Sequence, residues 1–226
     1  MASLTQITSQ HALTTSPPVL MIGAGGHAKV VIELVRAASA YEIIGLIDLK
    51  LSGPPILDLP ILGTDADLPR LRREGITHAF IGIGNNQLRL KTGYYLRQLD
   101  FEIINAISPA AIISATARLG DGIAVMAGAV INAEARIDDF SIINTHASVD
   151  HDCWVGEGAH VCPGTTLAGN VRVGSLAFIG AGATVIPGIT IGQDATIGAG
   201  ASVLRDVPDG ASAWGVPARI TRPIHY

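Results

Sequence analysis

Cysteine, aromatic residues and charge are all scarce in this 226-residue chain. Cys153 and Cys162 are its only cysteines, too few for a disulfide framework, so a reducing compartment, the cytoplasm, is expected. Aromatics make up 4% and charged residues 15%, whereas hydrophobic residues reach 48% and glycine numbers 26. A core without large rings must be assembled from Ala, Val, Ile and Leu in thin, closely stacked layers. The formal charge of −4 comes without a basic block, which leaves a nucleic-acid role without electrostatic support. No apolar run approaches the roughly 18 residues that cross a bilayer, so no membrane insertion is expected. Residues 1–18 are polar, lack a basic start and an apolar middle, and are expected to form a disordered leader rather than a signal peptide.

Two parts with different periods follow. From Val19 to about Asn105, short apolar runs alternate with stretches of helical spacing. Val19–Ile22 reads as a strand that stops at Gly23-Ala24-Gly25-Gly26-His27, and Ala28–Ala38 as a helix. Ile43–Ile47 reads as a second strand ending in Asp48, His78–Ile83 as a third ending in Gly84-Asn85-Asn86, and Leu88–Leu99 as a second helix. The alternation predicts an α/β domain over 19–105, a small parallel Rossmann-like sheet whose ligands bind beyond the carboxyl ends of its strands. Gly23-x-Gly25-x-x-Ala28 with Asp48 has the look of a dinucleotide fingerprint. The domain is too short for two mononucleotide halves, and NAD is rejected.

After Asn105 the period becomes six. Every sixth residue from Ile107 to Val203 is Ile, Leu or Val, seventeen in succession without an insertion. Four positions after most aliphatics lies a small residue, such as Ala129, Ala135, Ser141, Ala147, Cys153, Ala159 and Thr165; the exceptions Ile123, Val171 and Ile189 are still β-branched and apolar. A sandwich strand would repeat every two residues and a helix every 3.6. A six-residue repeat is that of a β-helix, whose units bury their faces only by stacking. Three hexapeptides make one triangular coil with the aliphatics turned inward, so 106–206 supplies a little over five coils, followed by a C-terminal cap over 207–226. Glycine often follows the aliphatic directly, as at Gly120, Gly156, Gly174, Gly180, Gly192 and Gly198, and is expected there to supply the positive φ of tight corners. The outer walls are expected to be flat and apolar and to favour self-association.

Three segments, Gly23-Ala24-Gly25-Gly26-His27, Ile83-Gly84-Asn85-Asn86 and Asn144-Thr145-His146-Ala147-Ser148-Val149-Asp150-His151-Asp152-Cys153, together with Gly215-Val216-Pro217-Ala218-Arg219, carry a resemblance. The chain resembles the hexapeptide-repeat sugar acetyltransferases related to sialic acid O-acetyltransferase and to the N-acetyltransferases of nucleotide-linked 4-amino-sugars. The resemblance implies a left-handed parallel β-helix, acetyl-CoA as co-substrate, a homotrimer with active sites between neighbouring helices, and a sugar bound by the N-terminal domain. It also implies that His151 is the proton acceptor, that Asp152 raises its basicity, and that His160, Ala181 and Ala199 contact acetyl-CoA. Asp48 and Gly84 match acceptor-binding positions. Where some nucleotide-sugar members carry two acids, this chain has Asp48-Leu49.

The residues give their own reasons for several of these roles. Acetyl transfer from a thioester needs a base, an oxyanion donor and a groove. His151 lies at the second position after Val149, turned outward between two Asp residues that would favour its basic form. Gly169 follows it by 18 residues, one coil on, where a bare backbone N–H could approach a thioester carbonyl. Gly25, Gly26 and His27 open a helix whose free N–H groups and dipole attract a sugar-linked phosphate. Cys153 falls at the small inward position and is expected to be core packing. The Gly215–Arg219 segment is expected to close over the adenine end of CoA or to cap a sheet edge.

The reaction expected is N-acetylation of a nucleotide-linked 4-amino-4,6-dideoxysugar for a surface glycan. O-acetylation of a free sugar such as sialic acid is the alternative. A trimeric zinc site built from His146, His151 and His160, or a non-catalytic scaffold, would be a protein of another class.

Overall fold

A computed structural model describes residues 16–48 and 55–221, so the expected leader lies almost wholly outside the described residues. The N-terminal part is a five-stranded parallel sheet in the order β3-β2-β1-β4-β5, with β1 Pro18–Ile22, β2 Glu42–Ile47, β3 Ile61–Gly63, β4 His78–Ile81 and β5 Glu102–Ile103. Helices α1 (Gly26–Ala38), α2 (Leu68–Arg73) and α3 (Asn86–Gln98) cover it. Strand β1 is apolar on both sides because both sides are covered. Val19 and Met21 pack with Val31, Ile32 and Val35 of α1, while Leu20 and Ile22 pack with Leu68, Leu71 and Leu96 of α2 and α3. The edge strands β3 and β5 and the short α2 were not expected. Each carries too few residues to show a period of its own.

From β6 (Ala106–Ile107) to β22 (Ser202–Val203) every strand is two residues long, and through Thr184–Val185 each residue pairs in parallel with the one 18 further on, shortening to 16 at Ile191 and Thr196. Three walls result. The first contains Ile142–Ile143, His160–Val161 and Phe178–Ile179; the second, Ser148–Val149, Thr166–Leu167 and Thr184–Val185; the third, Arg136–Ile137, Trp154–Val155 and Arg172–Val173. The repeat aliphatics from Val125 to Val203 are at most 1% exposed, and Ala129, Ala135, Ala147, Cys153, Ala159, Ala177, Ala183, Ala195 and Ala201 fill the space between them.

The corners work differently from the sequence reading. The residue with positive φ is the third after each aliphatic, from Gly122 through Gly128, Glu134, Phe140, His146 and Asp152 to Gly200. Glycines directly after the aliphatic have no positive φ. They are there because a Cβ would strike the next coil: at Gly156 it would lie 2.7 Å from the amide nitrogen of Ser175, and at Gly180 2.6 Å from that of Ala199.

The apolar outer wall proves to be only the first one. Ala106, Ala124 and Ile142 are buried there under α1 of the chain's own N-terminal domain. The second and third walls turn out mainly Ser and Thr, or Arg118, Arg136, Trp154 and Arg172.

Candidate active site

His151 stands on the corner between the second and third walls, in a turn whose next residue, Asp152, adopts φ 59°. That conformation brings the Asp152 carboxylate back beside the ring, and His151 Nδ1 lies 2.8 Å from Asp152 Oδ2. A carboxylate only accepts, so Nδ1 carries the proton and the exposed Nε2 keeps its lone pair. The hydrogen bond to Asp152, and then the charge of Asp150, raise the pKa of His151 above its ordinary value. Asp150 is itself held in place: it accepts from the His151 amide at 2.8 Å and from Asn132 Nδ2, one coil below, at 2.9 Å.

Gly169 lies one coil above, as the 18-residue stack requires, with the Asn170 amide donating to the His151 carbonyl. The imidazole rests on the glycine so closely that a Cβ there would sit 2.5 Å from His151 Cε1 and Nε2. The Gly169 N–H lies at the turn position whose amide donates to no carbonyl of a described residue. A base with a free lone pair therefore stands beside an unclaimed donor.

The other expected residues collect elsewhere. His160 is not a corner residue. It lies in a strand of the first wall, 8% exposed, under the rim of the N-terminal domain. Its ring stands edge-on to Phe178 at 5.4 Å and 6.4 Å from the ring of His27, the second residue of α1. Asn144 sets its protonation: Asn144 Oδ1 accepts from the Thr145 amide, so Nδ2 faces His160 Nε2 and donates to it at 3.0 Å. The proton of neutral His160 therefore resides on Nδ1, which is buried without a partner among the described residues, as is His27 Nε2. Burial, and then the nearby positive charge of Arg89, lower His27 to about 4 and His160 to about 3.

Around His27 the strand ends form an open shelf. Gly25 caps α1, and a Cβ on Gly25 or Gly26 would meet nothing within 4 Å. Gly84 approaches His27 closely enough that its Cβ would lie 3.7 Å from that of His27. Asp48 Oδ2 accepts from the Ala24 amide at 2.8 Å, bracing the glycine loop. Ala181 and Ala199 sit on the corner between the first and second walls, on the far side of the second wall from His151 and Gly169. The expected residues thus fall into two groups on one chain: His27, His160, Ala181 and Ala199 on one side, His151 and Gly169 on the other.

Cys153 is 1% exposed in the core, its thiol donating to the Ala168 carbonyl, and burial raises its pKa. His146, on the first corner, packs over Gly128. Among the described residues no three His, Cys, Asp or Glu side chains of one chain are grouped to hold a metal ion, and no helix is long and apolar enough to cross a membrane. Gly215–Arg219 runs between two strands that extend the first wall's sheet, Ser212–Trp214 and Arg219–Thr221. It flanks a cavity of about 250 Å³ lined by Arg205, Asp206, Ala218 and Ile220.

Sequence reasoning gave Arg89 no part and named Asn86 and Asn144 only within longer segments, without a role of their own. Arg89 could have been noticed, because it falls on the buried face of α3 with Thr92, Gly93 and Leu96, where an unpaired charge needs a reason.

Comparison with known proteins agrees with this fold. Residues 18–94 match the PglD N-terminal domain family, and 170–205 match the bacterial transferase hexapeptide family. PerB from Caulobacter crescentus, solved with CoA and GDP-perosamine, is 48% identical, with a TM-score of 0.88 over 93% of this chain and 99% of that one. The acetyltransferase domain of PglB from Neisseria gonorrhoeae FA1090, solved with acetyl coenzyme A, is 37% identical, with a TM-score of 0.87 over 91% of this chain and 100% of that one. The UDP-N-acetylbacillosamine N-acetyltransferase of Bacillus subtilis is 38% identical over 119 residues, 48% of this chain; the match spans 51% of that protein, about half its length. An α/β domain of one family, a β-helix of the other and a match along nearly the whole chain lead to one conclusion: the chain belongs to the hexapeptide-repeat sugar acetyltransferases.

Proposed function

We propose that the chain transfers acetyl from acetyl-CoA to the amine of a nucleotide-linked 4-amino-4,6-dideoxysugar, as a homotrimer. The observation that carries this reading is the end-to-end likeness to PerB, an enzyme solved with CoA and an amino sugar carried on GDP. CoA binding in PerB and acetyl-CoA binding in the PglB domain support the donor.

The two groups suggest how the reaction is divided. The glycine shelf with His27, Asp48 and Gly84 holds the acceptor. CoA runs along the first corner, past His160, Ala181 and Ala199. His151 and Gly169 come from the neighbouring subunit, because one wall of the prism separates them from the rest of the site. The amine nitrogen attacks the thioester carbonyl, and Gly169 N–H stabilises the developing oxyanion. The C–N bond forms and the C–S bond breaks. Neutral His151 Nε2 takes the amine proton and returns it to the departing thiolate, while Asp152 stabilises the imidazolium between these steps.

The test is release of free thiol from acetyl-CoA with a panel of UDP-, dTDP- and GDP-linked 4-amino-sugars and free sialic acid, for wild type and His151→Ala. Turnover of one amino sugar, lowered about 10²-fold or more by the substitution, is the expected result. Turnover of sialic acid alone would replace the amine by a hydroxyl. Turnover untouched by the substitution would remove His151 from the mechanism.

A further inference from the structure

Arg89 is 1% exposed, and all five of its N–H groups are used. Nε donates to the Phe140 carbonyl at 2.7 Å; Nη1 donates to the carbonyls of Ile83 and Gly84 at 3.1 and 3.0 Å; Nη2 donates to Asn86 Oδ1 at 2.9 Å and to the Gly158 carbonyl at 2.7 Å. Asn86 Nδ2 continues the row, donating to the carbonyls of Leu176 and Ala177 at 2.9 and 3.2 Å. Phe140, Gly158 and Leu176 are the same left-handed corner position in three successive coils, with φ of 59°, 65° and 63°. Their amides donate to the coil below, but no coil above takes their carbonyls. The fork of Arg89 and the amide of Asn86 are what cap that ladder.

Every acceptor around the guanidinium is neutral. Burial lowers its pKa to about 9, so it is still a cation at neutral pH, and Cys162, the acidic group that acts on it, is a thiol pushed up to about 12. An ion held by uncharged groups in a dry seam is costly to keep there, and apolar packing would serve stability as well. Its retention calls for another use, and its neighbours point to one. The Ile83–Gly84 carbonyls it grips belong to the shelf beside His27, and the coils it grips carry the wall beneath His160.

We propose that Arg89 is a positioning residue for acetyl transfer: its five hydrogen bonds weld the acceptor shelf to two coils of the β-helix, Asn86 adds a third, and together they set the spacing between His27 and His160. The inference rests on the acetyltransferase reading of the same site. The gap it sets has a definite chemistry. Two buried ring nitrogens without partners, the Nδ1–H of His160 and Nε2 of His27, lie on rings 6.4 Å apart. His160 must be neutral to keep its Asn144-directed tautomer, and His27 must be neutral for no second charge to face it. The Arg89 charge acts on both in that sense, together with burial, and His27 adds to the effect at His160.

The experiment compares Arg89→Lys, which keeps a charge without the fork, and Arg89→Met, which keeps neither, with wild type as the trimer. Steady-state kinetics are measured in each substrate separately, with melting temperatures and imidazole NMR titrations. Expected for Arg89→Lys is a rise of about tenfold or more in acceptor KM, or a matching fall in kcat, exceeding any change in acetyl-CoA KM. In Arg89→Met the His27 and His160 resonances titrate at higher pH than in wild type. A lower melting temperature with unchanged kinetics in Arg89→Lys overturns the proposal and leaves Arg89 a structural clamp. If Arg89→Met does not fold, the lysine variant decides alone on the acceptor-KM and kcat readout. Wild type inert toward every acceptor would instead overturn the acetyltransferase reading, whatever the variants do.

Discussion

The imidazole of His151 occupies the space that a methyl group on Gly169 would need: the added carbon would stand 2.5 Å from Cε1 and Nε2. The ring is surface-exposed and can swing away, so Gly169→Ala should leave the fold intact while displacing His151, the proposed base. We expect thiol release to fall about 10²-fold with a nearly unchanged melting temperature. Wild-type turnover in this variant would show that His151 need not rest on the glycine.

Asp152 holds the pKa of His151 above its ordinary value. In the proposed role His151 works only when neutral, so the acid limb of kcat/KM is expected to follow that raised value. Asp152→Asn removes the carboxylate, lowers the pKa and should move the acid limb to lower pH. The plateau rate should drop, because a weaker base accepts the proton less readily. A pH–rate series over both proteins reads both effects.

With His27 and His151 on opposite sides of the second wall, the proposed trimer draws them from different chains into each complete site. His27→Ala and His151→Ala should each be nearly inactive alone. Co-expressed in equal amounts as random trimers, they should recover about a quarter of wild-type activity, since a site is whole only where an intact His151 meets an intact His27 across the interface. No recovery in isolated mixed trimers would place both residues in one subunit's site.

His27 and His160 also tie stability to acid. Both have folded pKa values, about 4 and about 3, below their ordinary 6.5. The folded protein therefore binds fewer protons than the unfolded chain below that value. The stability from keeping them neutral is complete above about pH 6.5 and is lost as pH falls toward 4. For His27 alone the shift corresponds to about 3 kcal/mol. Urea midpoints measured between pH 7 and 4.5 should fall, and His160→Asn should flatten the dependence.

Phe140 is fully buried between α3 and the third corner, with the Arg97 guanidinium 4.6 Å from its ring centre and Gly93 beneath it. A Cβ on Gly93 would come within 2.6 Å of the ring. Gly93→Ala should cost about 1–3 kcal/mol by overpacking, read as a lower denaturant midpoint with similar slope.

Periodicity explains which features were visible beforehand. The hexapeptide register is a strictly local rule, so the burial of Val149, the outward turn of His151 and its stacking on Gly169 all follow by counting. The sheet order of the α/β domain was only half legible, because Ile61–Gly63 and Glu102–Ile103 are too short to repeat anything. Corner glycines were misread: Gly156 and Gly180 are set by the closeness of the next coil, which a single hexapeptide does not display. Arg89 stayed hidden because its partners, Phe140 and Gly158, lie 51 and 69 residues away, and nothing in α3 names them. Asn144 likewise had no role of its own until His160 was found buried above it.

The stack of 18-residue coils makes size a whole-number property of this domain. Losing or gaining one residue would turn every later aliphatic out of the prism, whereas removing a full coil leaves each remaining residue with an equivalent neighbour above and below. The rail along the first corner can therefore lengthen or shorten only in increments of about 4.8 Å. In this architecture the reach available to a long, thin co-substrate is chosen by how many turns the chain makes before it is capped at Ser212–Thr221.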